Sequence, residues 1–407
     1  MTLKIRVPSY GDIAKFFLFA IIWYVEFCVR YFQKSGMLLL LGIGLIIFVF
    51  LDYFSLRVSY PRITTATTLM VIYLAYTLIF GAVVSLDLPA HLDQGMSIIE
   101  YAIIGFSIIY YSRSRGSINY LIWNYAILDT LMCLIFIHKP IYYHNNPVYG
   151  RLTFAAGMNP NNFGMSMVMG TWALLYLSSI KRIPLIVTIP ICVANLYSIF
   201  LSGSRKGIIG MAIVLALWIA FVYIPNTEGH KWHKKIAKII FCIIVIIAAA
   251  MFIAPYYANS SLSSRMLDLH SETTGGARNE MYVKGMEYFL QSPIFGWGLQ
   301  GFKHFYGAYS HATIVEVPVT GGIIGTMLYA FFWLSIILMT FRQVIRTRSA
   351  TPQTGRYVNS RMSLILIAVM LFYSIALIHI YEFSSYIDLA IIISACYVVS
   401  DREKGKQ

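Results

Sequence analysis

This chain predicts an all-α, polytopic membrane protein, and three observations carry that prediction. Of its 407 residues, 58% are hydrophobic and only 12% are charged, against about 25% charged in an ordinary soluble domain. Mean hydropathy is +0.70. Apolar runs approaching the roughly twenty residues that a bilayer-crossing helix needs recur from one end of the chain to the other. Together these exclude a water-soluble globular enzyme, a disordered chain and a disulfide scaffold. The net charge of +14 would point to nucleic acid in a soluble protein. Here it reads as basic loops on the cytoplasmic side of a membrane, with no nucleic-acid partner.

Twelve segments satisfy the length requirement, at 13–29, 36–51, 66–86, 96–111, 118–137, 161–180, 183–201, 207–224, 239–254, 313–341, 362–381 and 385–400. The second, fourth and ninth are short, and the long tenth must tilt or extend beyond the bilayer. All must be helical, because backbone polar groups in lipid are satisfied only within the segment. Asp12 and Lys15 precede the first run and no small-residue cleavage site follows it, so no cleavable signal is expected. With the amino terminus in the cytoplasm, the inside connections carry about twice the Lys and Arg of the outside ones, as the positive-inside rule requires. Both termini are then cytoplasmic. By these edges every cation lies in a connection or at a helix end. The five cysteines (Cys28, Cys133, Cys192, Cys242, Cys396) fall within spans, as small apolar side chains with no disulfide or metal pattern.

Residues 1–407 read as one integral membrane domain without internal repeats. Two outside segments stand out: 255–312, between the ninth and tenth spans, and the smaller 138–160. Loops held by a rigid scaffold carry function, so chemistry is expected there.

Three features at the outer face bear on function. Arg205 sits in Ser202-Gly203-Ser204-Arg205-Lys206-Gly207, at a helix start where a guanidinium beside free backbone N–H groups suits an oxyanion, above all phosphate. The same residues also read as a flanking cation pair with Gly203 and Gly207 as a packing pair. Arg278 lies in Gly275-Gly276-Ala277-Arg278-Asn279-Glu280, before a short amphipathic helix predicted over 277–290 with Met281, Met286 and Phe289 on its apolar side. Alone it reads as a solvated loop residue or a partner of Glu280. It gains weight because Arg265, Arg278, Lys284 and Lys303 are the only cations of that loop. His311, opening the tenth span, could accept a proton near neutral pH as a general base requires, with Glu316 five residues later to orient it. Most of the nine histidines are expected to do nothing; His230 and His233, among inside lysines, lack a third metal ligand.

Gly296-Trp297-Gly298-Leu299-Gln300-Gly301 spells a dinucleotide fingerprint, but without the strand, the βαβ unit or the following acid. It is expected to form a tight turn after Pro293, with Trp297 and Phe302 anchoring the loop at the interface. Of the acids in or beside spans (Glu26, Glu100, Asp129, Glu316, Asp388), Glu316 is the one close to His311.

In chain order, the motifs are Asn159-Pro160-Asn161-Asn162 after Arg151, Ser204-Arg205-Lys206-Gly207, Gly276-Ala277-Arg278, Pro293 with the turn to Gly301, then His311 followed by Gly321-Gly322-Ile323-Ile324-Gly325. This succession resembles the O-antigen ligase and O-antigen polymerase superfamily, most closely over residues 150–340. The resemblance implies a membrane glycosyltransferase acting on undecaprenyl-pyrophosphate-linked glycans at the outer face of the bacterial cytoplasmic membrane. Its catalytic residues would be Arg205, Arg278 and His311, with Glu316, Arg151, Lys206 and Asn161 binding substrate. The ligase pattern often has Asn, Ser or Gln after the histidine, where this chain has Ala312. Direct displacement with inversion is expected, with no cofactor, nucleotide or metal. Expected partners are the lipid-linked donor, a glycan acceptor, the bilayer, a flippase and a chain-length regulator. Polymerase is favoured over ligase from Ala312 and the Arg151 segment, although the single large outer loop argues for ligase. A lipid-linked glycan flippase or solute transporter explains the spans equally well but not the outer arginines and histidine. A membrane scaffold is the least favoured reading.

Overall fold

The computed structural model describes residues 8–29, 37–56, 64–115, 117–142, 151–155, 158–225, 272–350, 355–375 and 377–404, with Ile236 and Ile240. It is a bundle of helices: α1 (Tyr10–Trp23), α2 (Leu38–Leu56), α3 (Thr65–Ala75), α4 (Leu88–Arg115), α5 (Asn119–His138), α6 (Pro160–Ser179), α7 (Leu185–Leu201), α8 (Arg205–Trp218), α9 (Glu272–Gln291), α10 (Gly301–Tyr306), α11 (Thr313–Arg346), α12 (Gly355–Tyr373) and α13 (Phe383–Lys404). A two-stranded antiparallel ribbon, β1 (Ile141–Tyr142) with β2 (Leu152–Thr153), pairs Ile141 with Thr153. Capping boxes start two helices, Ser9 with Asp12 before α1 and Thr64 with Thr67 before α3.

Among the described residues, six helices are long and apolar enough to cross a membrane: 38–55, 65–84, 88–113, 119–138, 205–223 and 313–346. Helices also occur at the other predicted segments except the ninth, 239–254, which lies outside the described residues. The central helix, α6, shows why some of these are less apolar than the six. It packs against α5, α7 and α8, with Phe163, Trp172 and Tyr176 at most 2% exposed. A helix screened by protein on most sides does not need the uniform apolarity that lipid demands. α2 shows the contrary surface, exposing Leu39, Leu40, Phe50 and Phe54.

Three expectations about the spans need correction. Span eleven, predicted at 362–381, begins earlier and ends at Tyr373. Arg361 therefore lies inside α12 rather than in a connection. It is 7% exposed, and its Nη1 donates to Thr347 Oγ1 (2.6 Å) and Ser360 Oγ (2.9 Å) while its guanidinium covers the Tyr357 ring at 3.5 Å. Neutral oxygens and an aromatic face replace water around this cation.

Span ten is interrupted rather than continuous, and the interruption explains the Gly296–Gly301 motif. Gly322, inside α11, has φ 59° and ψ −158°, a conformation open in practice only to glycine. The break frees backbone groups within the span, and residues 293–298 satisfy them. Trp297 N–H donates to the Val319 carbonyl (2.8 Å) and Gly298 N–H to Thr320 (3.0 Å), while Ile323 N–H donates to Pro293 (2.8 Å). Non-helical backbone at such a depth is tolerated where protein pairs it. Gly296 and Gly298 have φ of 71° and 76°, and a Cβ on either would collide with backbone, Gly296 with Gly322 and Gly298 with Gly81. The turn is also clamped by His91, which is 1% exposed: Leu299 N–H donates to its Nδ1 (2.9 Å) and its Nε2 donates to the Leu78 carbonyl (3.1 Å). Gly322→Ala is expected to cost about 3 kcal/mol, from a forbidden backbone conformation plus collision with Ile294. A lowered midpoint of thermal unfolding in detergent checks this; an unchanged midpoint contradicts it.

The anchoring expected of Trp297 and Phe302 at the membrane interface is also corrected. Phe302 is fully buried, in a small apolar core with Ala312, Val315 and Val319, and Trp297 Nε1 donates to the Tyr288 carbonyl at 2.8 Å. The amphipathic helix, predicted over 277–290, runs from Glu272 to Gln291. Met281 and Phe289 pack on that core as expected, but Met286 is 58% exposed, and Gly285 takes the close contact with Val315.

Candidate active site

Helix ends and connections gather around one cleft of about 490 Å³. α6 contributes Asn161 and Asn162 from its first turn, with Asn159 just before it; α8 contributes Lys206; α9 contributes Met281. The turn before α11 adds Tyr309 and His311, the connection between α12 and α13 adds Tyr381 and Glu382, and α4 adds Gln94.

The local sequence dictates the α6 and α8 corners. Asn159 is the N-cap of α6, its Oδ1 accepting from Asn161 N–H at 2.8 Å, and Pro160 occupies the first helical position, where its missing N–H is no loss. Ser204 caps α8 by accepting from Gly207 N–H at 3.2 Å. Gly203 forms the left-handed turn before it, with φ 63°, and Gly207 lies against Gly164 of α6. These two glycines thus serve a turn and a helix contact, not one packing pair. The result sets the amino termini of two long helices beside each other at the cleft, with Lys206 in the first turn of α8. Partial positive charge from both helix ends adds to the ammonium, which is the environment an anionic phosphate favours.

Three predicted site residues line the cleft together: Lys206, Asn161 and His311. Arg205 opens α8 beside Lys206 but does not itself line the cleft. Arg278 lies in α9, one turn before Met281 and on the same helical face; its side chain lies outside the described residues, as do Arg265, His230 and His233.

Arg151 and Glu316 do not line the cleft with Lys206, Asn161 and His311. Arg151 Nη2 donates to Asn161 Oδ1 (2.9 Å) and Nε to the Ser202 carbonyl (3.3 Å). Both are neutral acceptors, so the guanidinium ties the start of α6 to the turn before α8. It also turns the Asn161 amide so that its NH2 is the group left over for a ligand. Glu316 has no exposed surface; its carboxylate accepts from Ser310 Oγ (2.6 Å) and Tyr381 Oη (3.1 Å). It therefore braces the residue next to His311.

His311 is exposed and has φ 55°, a left-handed conformation uncommon outside glycine. Such strain persists where surrounding structure imposes it, and here Glu316 holds Ser310, the preceding residue. Ala312, buried at the N-cap of α11, has no capping group. His379 is different in kind. It is 4% exposed, with Nε2 donating to the Met370 carbonyl (2.7 Å) and Nδ1 accepting from Ser385 Oγ (2.8 Å). Burial holds its pKa down to about 4, so it is a neutral structural histidine.

Gln94, Tyr309, Tyr381 and Glu382 were missed by sequence reasoning. Polar residues scattered over three segments carry no spacing signal, and only the fold brings them to one place. Of the other span acids, Asp388 accepts from Tyr125 Oη at 3.3 Å and Asp129 is buried; the side chain of Glu26 lies outside the described residues.

A multi-pass helical membrane protein with a cationic, partly amidic cleft at one set of helix ends is the class these features define. Residues 190–330 match the family model described as O-Antigen ligase. This stretch is about a third of the chain and holds Arg205, Arg278, His311 and Glu316; it supports the O-antigen ligase and polymerase superfamily, whose members are glycosyltransferase-like enzymes. The match does not distinguish polymerase from ligase and lends no support to a flippase. No curated protein matches the chain.

Proposed function

We propose that this chain is an inverting, metal-independent glycosyltransferase that polymerises undecaprenyl-pyrophosphate-linked repeat units at the extracytoplasmic face of the bacterial cytoplasmic membrane. The observation that carries this reading is the cleft that joins Lys206 and Asn161, at two helix amino termini, to His311. Its chemistry matches a substrate that is a diphosphate at one end and a sugar at the other.

In the proposed reaction an acceptor hydroxyl oxygen attacks the anomeric carbon of the donor. The bond from that carbon to the diphosphate oxygen breaks, and the diphosphate leaves with the electron pair. Positive charge builds on the sugar ring and negative charge on the leaving group. Lys206 and the α8 amino terminus, with Arg205 and Arg278, stabilise that negative charge through charge-assisted hydrogen bonds. His311 takes the acceptor's proton. Activation already resides in the diphosphate, so no nucleotide or divalent ion is called for.

Ligase activity, transferring the finished glycan to a lipid A core, is the second reading, and the single large outer loop argues for it. Ala312 and the Arg151-tied start of α6 favour polymerase. Surface glycan from a deletion strain separates them: loss of a polymerase leaves at most one repeat unit attached, and loss of a ligase accumulates unattached polymer on the carrier lipid. Unaltered surface glycan in that strain contradicts both.

A further inference from the structure

One buried residue organises the uncharged wall of the cleft. Gln300 is 6% exposed and left-handed, with φ 64°, a conformation that costs a non-glycine residue free energy. Its side-chain Nε2 donates to Gln94 Oε1 (2.8 Å) and to Tyr309 Oη (2.9 Å), and its backbone N–H donates to Tyr381 Oη (3.3 Å). All three of these partners line the cleft, so a single strained side chain and its own amide fix them together. Its amide oxygen is buried and has no hydrogen-bond partner among the described residues, which makes this a site held against a local cost.

The groups this bracing leaves over are uncharged donors. Gln94 has its oxygen occupied, so its NH2 remains; the Tyr309 hydroxyl accepts from Gln300 and still has its hydrogen to give. The Tyr309 and Tyr381 rings meet edge to face with centroids 5.9 Å apart. Lys303 Nζ covers one face of the Tyr309 ring at 4.8 Å from its centroid. The neutral donors beside the remaining aromatic faces suit the hydroxyls and C–H faces of a sugar, and a phosphate finds its counter-charge at Lys206.

We infer that Gln94, Tyr309 and Tyr381 form the subsite for the acceptor sugar, and that Gln300 is the positioning residue that assembles it. The inference rests on the glycosyl-transfer reading. It also gives the Gly296–Gly301 motif a second role, since its fifth residue reaches from the turn at the α11 break to the cleft.

The test uses purified full-length protein in detergent, a lipid-diphosphate-linked glycan as donor, and the same oligosaccharide on a simple alkyl aglycone, which can accept but not donate. Gln300→Gly keeps the left-handed backbone and its N–H while removing the brace; Tyr309→Phe removes one donor without touching the backbone. Each is expected to raise KM for the alkyl glycoside about tenfold, as loss of one or two hydrogen bonds in a desolvated site does, with KM for the donor within about twofold of wild type. An unchanged acceptor KM in Tyr309→Phe, or equal rises for donor and acceptor, overturns the subsite. No transfer by wild-type protein to the alkyl glycoside or to a second molecule of the lipid-linked glycan overturns the polymerase reading, and the subsite with it.

Discussion

Replacing Arg278 with alanine is expected to lower glycan transfer by about 10³-fold, the range seen when a preformed group that stabilises developing negative charge is removed. The helix carrying it, Glu272–Gln291, packs on the Val315–Val319 face of α11. Met281, which lines the cleft, follows Arg278 by one turn. The substitution leaves the Gly285 contact with Val315 in place, so insertion and abundance in the membrane are expected to match wild type. Lys284→Ala, which removes an exposed pair with Glu287 (2.7 Å), is expected to leave transfer within about twofold, because exposed ion pairs contribute little. Initial rates with purified protein and surface glycan in a complemented deletion strain check both. Wild-type product from Arg278→Ala refutes the role given to this arginine.

His311→Asn is the second large effect, expected to reduce the rate by about 10²–10⁴-fold, the contribution typical of a positioned general base. Asparagine is the informative choice because it tolerates the left-handed backbone that His311 adopts. The variant then removes the imidazole without also removing the turn. A general base must be deprotonated to act, so the wild-type pH–rate profile is expected to show an acid limb that disappears in the variant. A pH–rate profile measures this; an acid limb that survives in His311→Asn assigns the base to another group.

Most of the helices were legible because an apolar run of bilayer length is seldom anything but a membrane-crossing helix, and the structure puts helices at those segments wherever it describes them. Six of them meet the criterion of length and apolarity. The break at Gly322 was not legible: two adjacent glycines in an apolar run read as close packing as readily as a kink. Only the pairing of residues 293–298 with 319–324 shows which it is. The same pairing explains why a glycine-rich motif with no nucleotide to bind is present at all. Arg361 falls in a connection when the span edge is set at 362, because hydropathy does not show that Thr347, Ser360 and the Tyr357 ring supply it with partners inside the helix.

The site was legible in part. His311, Lys206 and Asn161 were picked out from local chemistry, and one cleft holds all three. Arg151 and Glu316 were picked out by charge, but charge does not say whether a side chain meets substrate or braces a neighbour. Their hydrogen bonds to Asn161 and Ser310 are those of braces. Gln94, Gln300 and Tyr381 lie far apart in sequence and carry no charge, so nothing short of the fold could connect them.

In the proposed complex one cleft binds a lipid diphosphate with its phosphates against the amino terminus of α8 and the Arg278 end of α9, and its sugar towards His311. A cryo-EM structure of the protein with a bound lipid-diphosphate-linked glycan is the decisive measurement. Diphosphate density contacted by Lys206 or Arg205 and by Arg278 is expected, with the anomeric carbon on the His311 side. Diphosphate bound elsewhere in the protein, or bound in the cleft with Arg278 turned away from it, refutes this arrangement.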